Sequence, residues 1–136
     1  MNRFSLTVLI TLLVMVGVCG CQRTTTIILV RHAEPLSGGG DPGLNASGQQ
    51  RADALREVAR RSRISAIYTR DQRRTQETAA PLATALGITP RVFAVGNDVQ
   101  QHANAIATDI KSTRVGRTVL VVGHSNTVPA IMSGCR

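Results

Sequence analysis

Thr25-Thr26-Ile27-Ile28-Leu29-Val30, running straight into Arg31-His32, is the stretch on which the fold turns. A β-branched, apolar run of this length suits a strand covered on both sides, as in a parallel sheet. The pattern returns at Thr118-Val119-Leu120-Val121-Val122, the clearest strand of the chain, which ends at Gly123-His124-Ser125-Asn126. Helical periodicity lies between them. Gln49 to Arg61 predicts a helix with Ala52, Leu55, Val58 and Ala59 on one face. Ile64 to Thr69 predicts a strand, and Arg73 to Leu86 a helix stopped at Gly87 and kinked or split at Pro81. Arg91 to Val95 reads as a short strand, Asp98 to Thr113 as a more polar helix, and Pro129 as the first turn of a last one. Strands alternating with helices, with no internal repeat, predict an α/β three-layer sandwich: a mostly parallel central sheet with helices on both faces.

In such sheets ligands bind beyond the carboxyl ends of the strands. His32 and His124 both stand immediately after a predicted strand, whereas His102 falls in a polar helix and is expected at the surface. The loop after His32 carries breakers from Ser37 to Gly43 and is expected to border a pocket.

Composition sets the outer limits. The chain has 136 residues, 43% of them hydrophobic and only 2% aromatic, so one core of Ala, Val, Ile and Leu is expected. Net charge is +8, carried almost wholly by arginine, with Lys111 the only lysine. Arginine's planar fork suits a phosphate. Scattered arginines among acids and the near absence of stacking aromatics argue against a nucleic-acid partner.

Asn2-Arg3 followed by an apolar run from Phe4 to Val18 has the length and flanks of an export signal, short of a membrane span. Val18-Cys19-Gly20-Cys21 resembles the lipobox of bacterial lipoproteins. That resemblance implies a signal over residues 1–20, lipid attachment at Cys21, and a domain over residues 21–136. It further implies anchorage to the cell membrane or outer membrane, with the domain facing the periplasm. Cys135 is then the one thiol left, and no disulfide framework or metal-ligand spacing can be drawn.

Four segments, in order, resemble the motifs of the histidine phosphatase superfamily, which includes phosphoglycerate mutases and small phosphohistidine phosphatases. Leu29-Val30-Arg31-His32-Ala33-Glu34 resembles its Arg-His-Gly motif, with Ala33 in place of the glycine. Leu44-Asn45-Ala46-Ser47-Gly48-Gln49-Gln50-Arg51-Ala52 resembles its Leu-Thr-x-x-Gly segment. Ile67-Tyr68-Thr69-Arg70-Asp71-Gln72-Arg73-Arg74-Thr75-Gln76-Glu77-Thr78-Ala79 resembles its second-arginine motif, and Val121-Val122-Gly123-His124-Ser125 its second-histidine motif.

The resemblance implies a phosphatase acting on a phosphorylated small molecule or a phosphohistidine protein, without cofactor or metal. His32 would be the nucleophile, with Arg31, Arg74 and His124 around the phosphoryl oxygens and His124 stabilising the transition state. Arg74 fits the second-arginine position better than Arg70 or Arg73. The general acid is the weakest assignment: Asp98 is the candidate, with Glu34 and Asp41 behind it. A phosphotransferase or mutase, and a member that binds phosphate with impaired catalysis, are the alternatives. Ser125 or Asn126 is expected to cap the last helix. Gly134-Cys135-Arg136 reads as an abrupt end, so an edge of the sheet is expected to be incomplete.

Overall fold

The computed structural model of the chain describes residues 23–94, 96 and 98–135. The expected export signal, Cys21 and the end of the expected third strand at Val95 lie outside the described residues. The elements are β1 (Thr26–Arg31), α1 (Ala46–Ala59), β2 (Ile64–Arg70), α2 (Arg73–Leu86), β3 (Arg91–Phe93), α3 (Val99–Thr113), β4 (Thr118–Gly123) and α4 (Thr127–Gly134).

The strands form one sheet in the order β1-β4-β2-β3, every pairing parallel. This order explains the layering. Connections between parallel strands are right-handed, so two crossovers advancing the same way leave their helices on one face. From β1 to β2 to β3 the chain advances across the sheet, carrying α1 and α2. It then reverses to insert β4 between β1 and β2, which sends α3 to the other face.

Alternation along the strands fills both interfaces. Ile28, Val30, Ile64, Ile67, Leu120 and Val122 pack with Leu55 and Ala59 of α1 and with Ala79, Leu82 and Ala83 of α2. Ile27, Leu29, Ala66, Tyr68, Val119 and Val121 pack with Ala103, Ile106 and Ile110 of α3 and Ile131 of α4. Ile64 and Ile67 share a face despite their odd spacing because the β2–β4 register slips between Ile64 and Ala66. The expected three-layer α/β architecture is therefore the one found.

Several local expectations are corrected. α1 begins at Ala46, ahead of Gln49, because Asn45 in extended backbone accepts the Gly48 amide at 2.8 Å. Val58 is 81% exposed and does not share the buried face with Ala52 and Ala59. Pro81 does not split α2, whose inward residues Thr78, Ala79, Leu82 and Ala83 are buried on both sides of it. β3 pairs over three residues only, Tyr68↔Arg91 to Arg70↔Phe93. His102 is buried rather than superficial: His102, Ile106 and Ile110 lie on the inward stripe of α3, while Gln100, Gln101 and Asn104 take the outer face. Among the described residues no helix is long and apolar enough to cross a membrane.

Candidate active site

Strand adjacency makes the site. Arg31↔Gly123 is the last register pair of β1 and β4, and the His32 amide donates to the Gly123 carbonyl at 2.9 Å. His32 and His124 thus leave the sheet side by side, with ring centroids 4.7 Å apart and planes inclined at 59°. That separation is close to the spacing of neighbouring strands, about 4.8 Å. His32 is 7% exposed, and its Nδ1 lies 2.8 Å from the Ala33 carbonyl oxygen. A carbonyl can only accept, so this contact assigns the proton to Nδ1 and leaves the lone pair on Nε2.

Two guanidinium groups converge on the second ring. Arg70, at the end of β2, places a guanidinium nitrogen 3.2 Å from His124 Nδ1. Arg74, in the first turn of α2, donates Nε–H to His124 Nε2 at 3.0 Å. An imidazolium would have to point N–H groups at both arginines, whereas the neutral ring offers one of them a lone pair. Burial first, then the charge of Arg70, the neighbouring His32 and the charges of Arg74 and Arg31, lower His124 to about 4. His32 is also lowered, by burial and by Arg74, Arg31 and Arg51, against the opposing pull of the Ala33 carbonyl. Burial lowers Arg70 itself.

A pH dependence follows. His124 titrates near 6.5 in the unfolded chain and about 4 in the folded one, so between those values the unfolded chain binds more protons. The melting temperature should fall as pH drops through this window and level off below it. His32 and His102, both lowered, act in the same direction. His124→Gln should flatten part of the slope in scanning calorimetry; an unchanged slope contradicts the assignment.

The turn holding His32 is clasped from α1. Arg51 pairs with Glu34, and its other terminal nitrogen donates to the carbonyls of His32 at 3.1 Å and Arg31 at 3.3 Å. Thr78 of α2 accepts the Ala33 amide at 2.9 Å and donates to the Arg74 carbonyl at 2.6 Å, tying the turn of His32 to the helix that carries Arg74. Local pattern marks neither residue: the helical periodicity leaves Arg51 as an outward charge. The available signal was Glu34, a carboxylate two residues beyond His32 that needs a cation. Gly48 lets α1 approach this turn, since a Cβ there would lie 2.2 Å from the Glu34 carbonyl oxygen. Gly48→Ala should therefore cost about 1–3 kcal/mol in denaturant unfolding. A neutral result would show that α1 can shift freely.

The other expected residues fall as follows. Arg31 is exposed at the end of β1 and lines a cleft of about 160 Å³ with His32, Ala33, Glu34, Pro35 and Arg51. Arg73 points away, pairing with Glu77 at 3.0 Å while its amide donates to Asp41. Asp98 caps α3, accepting the Gln100 amide at 2.8 Å, and no described contact joins it to either imidazole. Neither Ser125 nor Asn126 caps α4 through its side chain; Thr127 Oγ1 instead accepts the His124 amide at 2.8 Å and so fixes that histidine's backbone. A larger groove of about 440 Å³ between α1 and α2 contains no histidine. Among the described residues no group of three His, Cys, Asp or Glu could hold a metal ion.

An α/β domain that gathers two imidazoles and two guanidinium groups over the carboxyl edge of its sheet is equipped to hold a tetrahedral anion. The model of the histidine phosphatase superfamily (branch 1) matches residues 27–95, about half of the sequence, and the chain belongs to that superfamily. The match takes in Arg31, His32, Arg70 and Arg74. Over 59 residues, 43% of the chain, it is 42% identical to the PE-PGRS family protein PE_PGRS11 of Mycobacterium tuberculosis, of whose length it spans only 10%. Its fold resembles a mycobacterial glucosyl-3-phosphoglycerate phosphatase, with a TM-score of 0.67 at 18% identity over 79% of this chain and 77% of that one. It also resembles a phosphoserine phosphatase of Entamoeba histolytica, with a TM-score of 0.61 at 16% identity over 82% of this chain and 79% of the other. At these identities the likeness is one of fold.

Proposed function

We propose that this chain is a phosphatase that hydrolyses a phosphomonoester or a phosphohistidine through a phosphoryl intermediate on His32. One observation carries the reading: an unprotonated Nε2 on His32 stands beside a second imidazole whose two ring nitrogens lie 3.2 and 3.0 Å from guanidinium nitrogens of Arg70 and Arg74. His32 Nε2 attacks phosphorus, the P–N bond forms, and the bond to the leaving group breaks in line with it. Water then attacks the phosphohistidine, breaking P–N and releasing phosphate.

A phosphoryl oxygen is a better acceptor for guanidinium than neutral imidazole, so substrate draws Arg70 and Arg74 off His124. With those donors turned to the anion, His124 can take a proton and donate to the developing charge. Arg31 adds field from the exposed side. Asp98, Asp41 and Glu34 are each engaged elsewhere, which favours substrates whose leaving groups need little protonation from the protein, such as aryl phosphates. The same observation supports a second reading, an anion-binding member with little turnover. Rapid acid and alkaline quenching separates the two: the first predicts an acid-labile, base-stable phosphoprotein, and the second predicts none.

We further propose that Cys21 carries lipid and holds the domain at a membrane surface on the periplasmic side. The support is the sequence of the leader alone. Cys21→Ser should move the chain from the detergent phase to the aqueous phase in cloud-point partitioning. Unchanged partitioning counts against lipidation.

A further inference from the structure

We propose that the edge of the sheet opposite the histidines is a membrane-docking face. On it, Arg23, Arg61, Arg63 and Arg117 bind the anionic headgroups of the bilayer in which Cys21 is seated. The inference rests on the lipid-anchor reading above and is independent of the catalytic one.

Parallel strands put all their amino ends on one side. Thr26, Thr118 and Ile64 are register partners across β1, β4 and β2, so the residues preceding them emerge together. Arg117 immediately precedes Thr118, and Arg63 immediately precedes Ile64. Neighbouring strands lie about 4.8 Å apart, which sets these two backbones side by side. Arg23 joins them: the Thr26 amide donates to the Arg117 carbonyl at 2.9 Å, and Thr25 Oγ1 accepts the Gly116 amide at 3.0 Å. A Cβ at Gly116, where φ is +71°, would lie 2.9 Å from the Arg23 Cβ, so the Arg23 side chain runs against this turn. Arg61 stands two residues before Arg63, which is itself held at φ 52° on the tip of its turn.

All four arginines are exposed, and among the described residues none of them makes an ion pair. The acids lie elsewhere. Glu34, Asp41, Asp71, Glu77 and Asp98 stand at the histidine edge; Asp53 is taken by Arg56, Glu57 by Arg56 and Arg60, and Asp109 by Arg91 and Tyr68. The result is a single-sign face, with Val115 exposed at 53% on the same turn as Arg117. Half-buried Arg114 turns inward toward Tyr68 and is not counted.

Position selects the occupant. Only Gln22 separates Cys21 from Arg23, so a lipid on Cys21 leaves this face within about 10 Å of the headgroups. Each arginine near an anionic surface strengthens docking by about fivefold. β1 is six residues long, which lifts the histidines roughly 20 Å above the docked edge and turns the pocket toward soluble substrates.

The full chain, reconstituted through its own anchor, is compared in vesicles of phosphatidylcholine alone and of phosphatidylcholine with phosphatidylglycerol, by hydrogen–deuterium exchange. Anionic vesicles should slow exchange at residues 61–63 and 115–117 while leaving the 37–41 loop unchanged. Salt at roughly 1 M, where the Debye length is about 3 Å, should erase the difference in the wild-type chain. Arg61→Glu with Arg63→Asn and Arg117→Glu should weaken docking by about a hundredfold; Asn is used at 63 because it tolerates positive φ. Equal exchange in the two vesicles, protection that survives salt, or protection at the 37–41 loop overturns the proposal. Flotation with neutral vesicles reads the anchor alone, and neither measurement needs turnover, so failure of the phosphatase reading remains distinguishable.

Discussion

His32→Ala should abolish turnover of an aryl phosphate, lowering kcat on the order of 10⁴–10⁶-fold, as loss of a covalent nucleophile does elsewhere. The size of the effect follows from the geometry. His32 is 7% exposed, with Nδ1 committed to the Ala33 carbonyl and Nε2 carrying the lone pair, and its lowered proton affinity keeps it neutral at ordinary pH. His124 does not substitute as nucleophile, because its ring takes a proton and donates to the developing charge once the arginines turn to the anion. The variant should fold, since the side chain's hydrogen bond is made to the neighbouring residue and its ring contact is with the site histidine His124. The residual rate would report what the arginine field achieves without a covalent step. A variant within roughly tenfold of wild type, about 1.4 kcal/mol of barrier, removes the phosphohistidine mechanism.

Arg74→Ala is the second large expectation: a loss of about 10²–10³-fold in kcat/KM, with weaker inhibition by inorganic phosphate and vanadate. Arg74 sits in the first turn of α2, anchored because its carbonyl receives the Thr78 hydroxyl that also holds the Ala33 amide. Its guanidinium is therefore carried on the scaffold that positions His32. Lysine at 74 should recover little, because a single ammonium cannot present two parallel donors to one phosphoryl group. The deletion also removes one of the charges that lower His124, so that ring should become easier to protonate. An Arg74→Ala protein with unchanged kcat/KM and unchanged vanadate inhibition would assign the anion to Arg70 and Arg31 alone.

The architecture was largely written in local pattern. Ile27 to Val30 and Val119 to Val122 lack a polar face, so only a sheet covered on both sides could hold them, and they were read as such. α2 was placed at Arg73 to Leu86, the bounds it has. The errors share one cause. The polarity of its neighbours points His102 to the surface, yet its depth depends on which stripe of α3 meets β4 and β2. Local backbone chemistry makes Pro81 a breaker, and the buried contacts of Leu82 and Ala83 outweigh one lost hydrogen bond. Asp98 follows β3 as a general acid would, and the helix it precedes claims its carboxylate as a cap.

By itself the sequence determined which segments are strands, that they run parallel, and that His32 and His124 each follow a carboxyl end, because periodicity and breakers act over a few residues. Only the tertiary structure decided that β4 inserts beside β1, bringing those rings to 4.7 Å. It alone aimed Arg70 and Arg74 at His124, closed Arg51 over the turn of His32, and collected four arginines at the far edge. Strand order is set by how two cores and their crossovers pack together, and no stretch of local sequence encodes it.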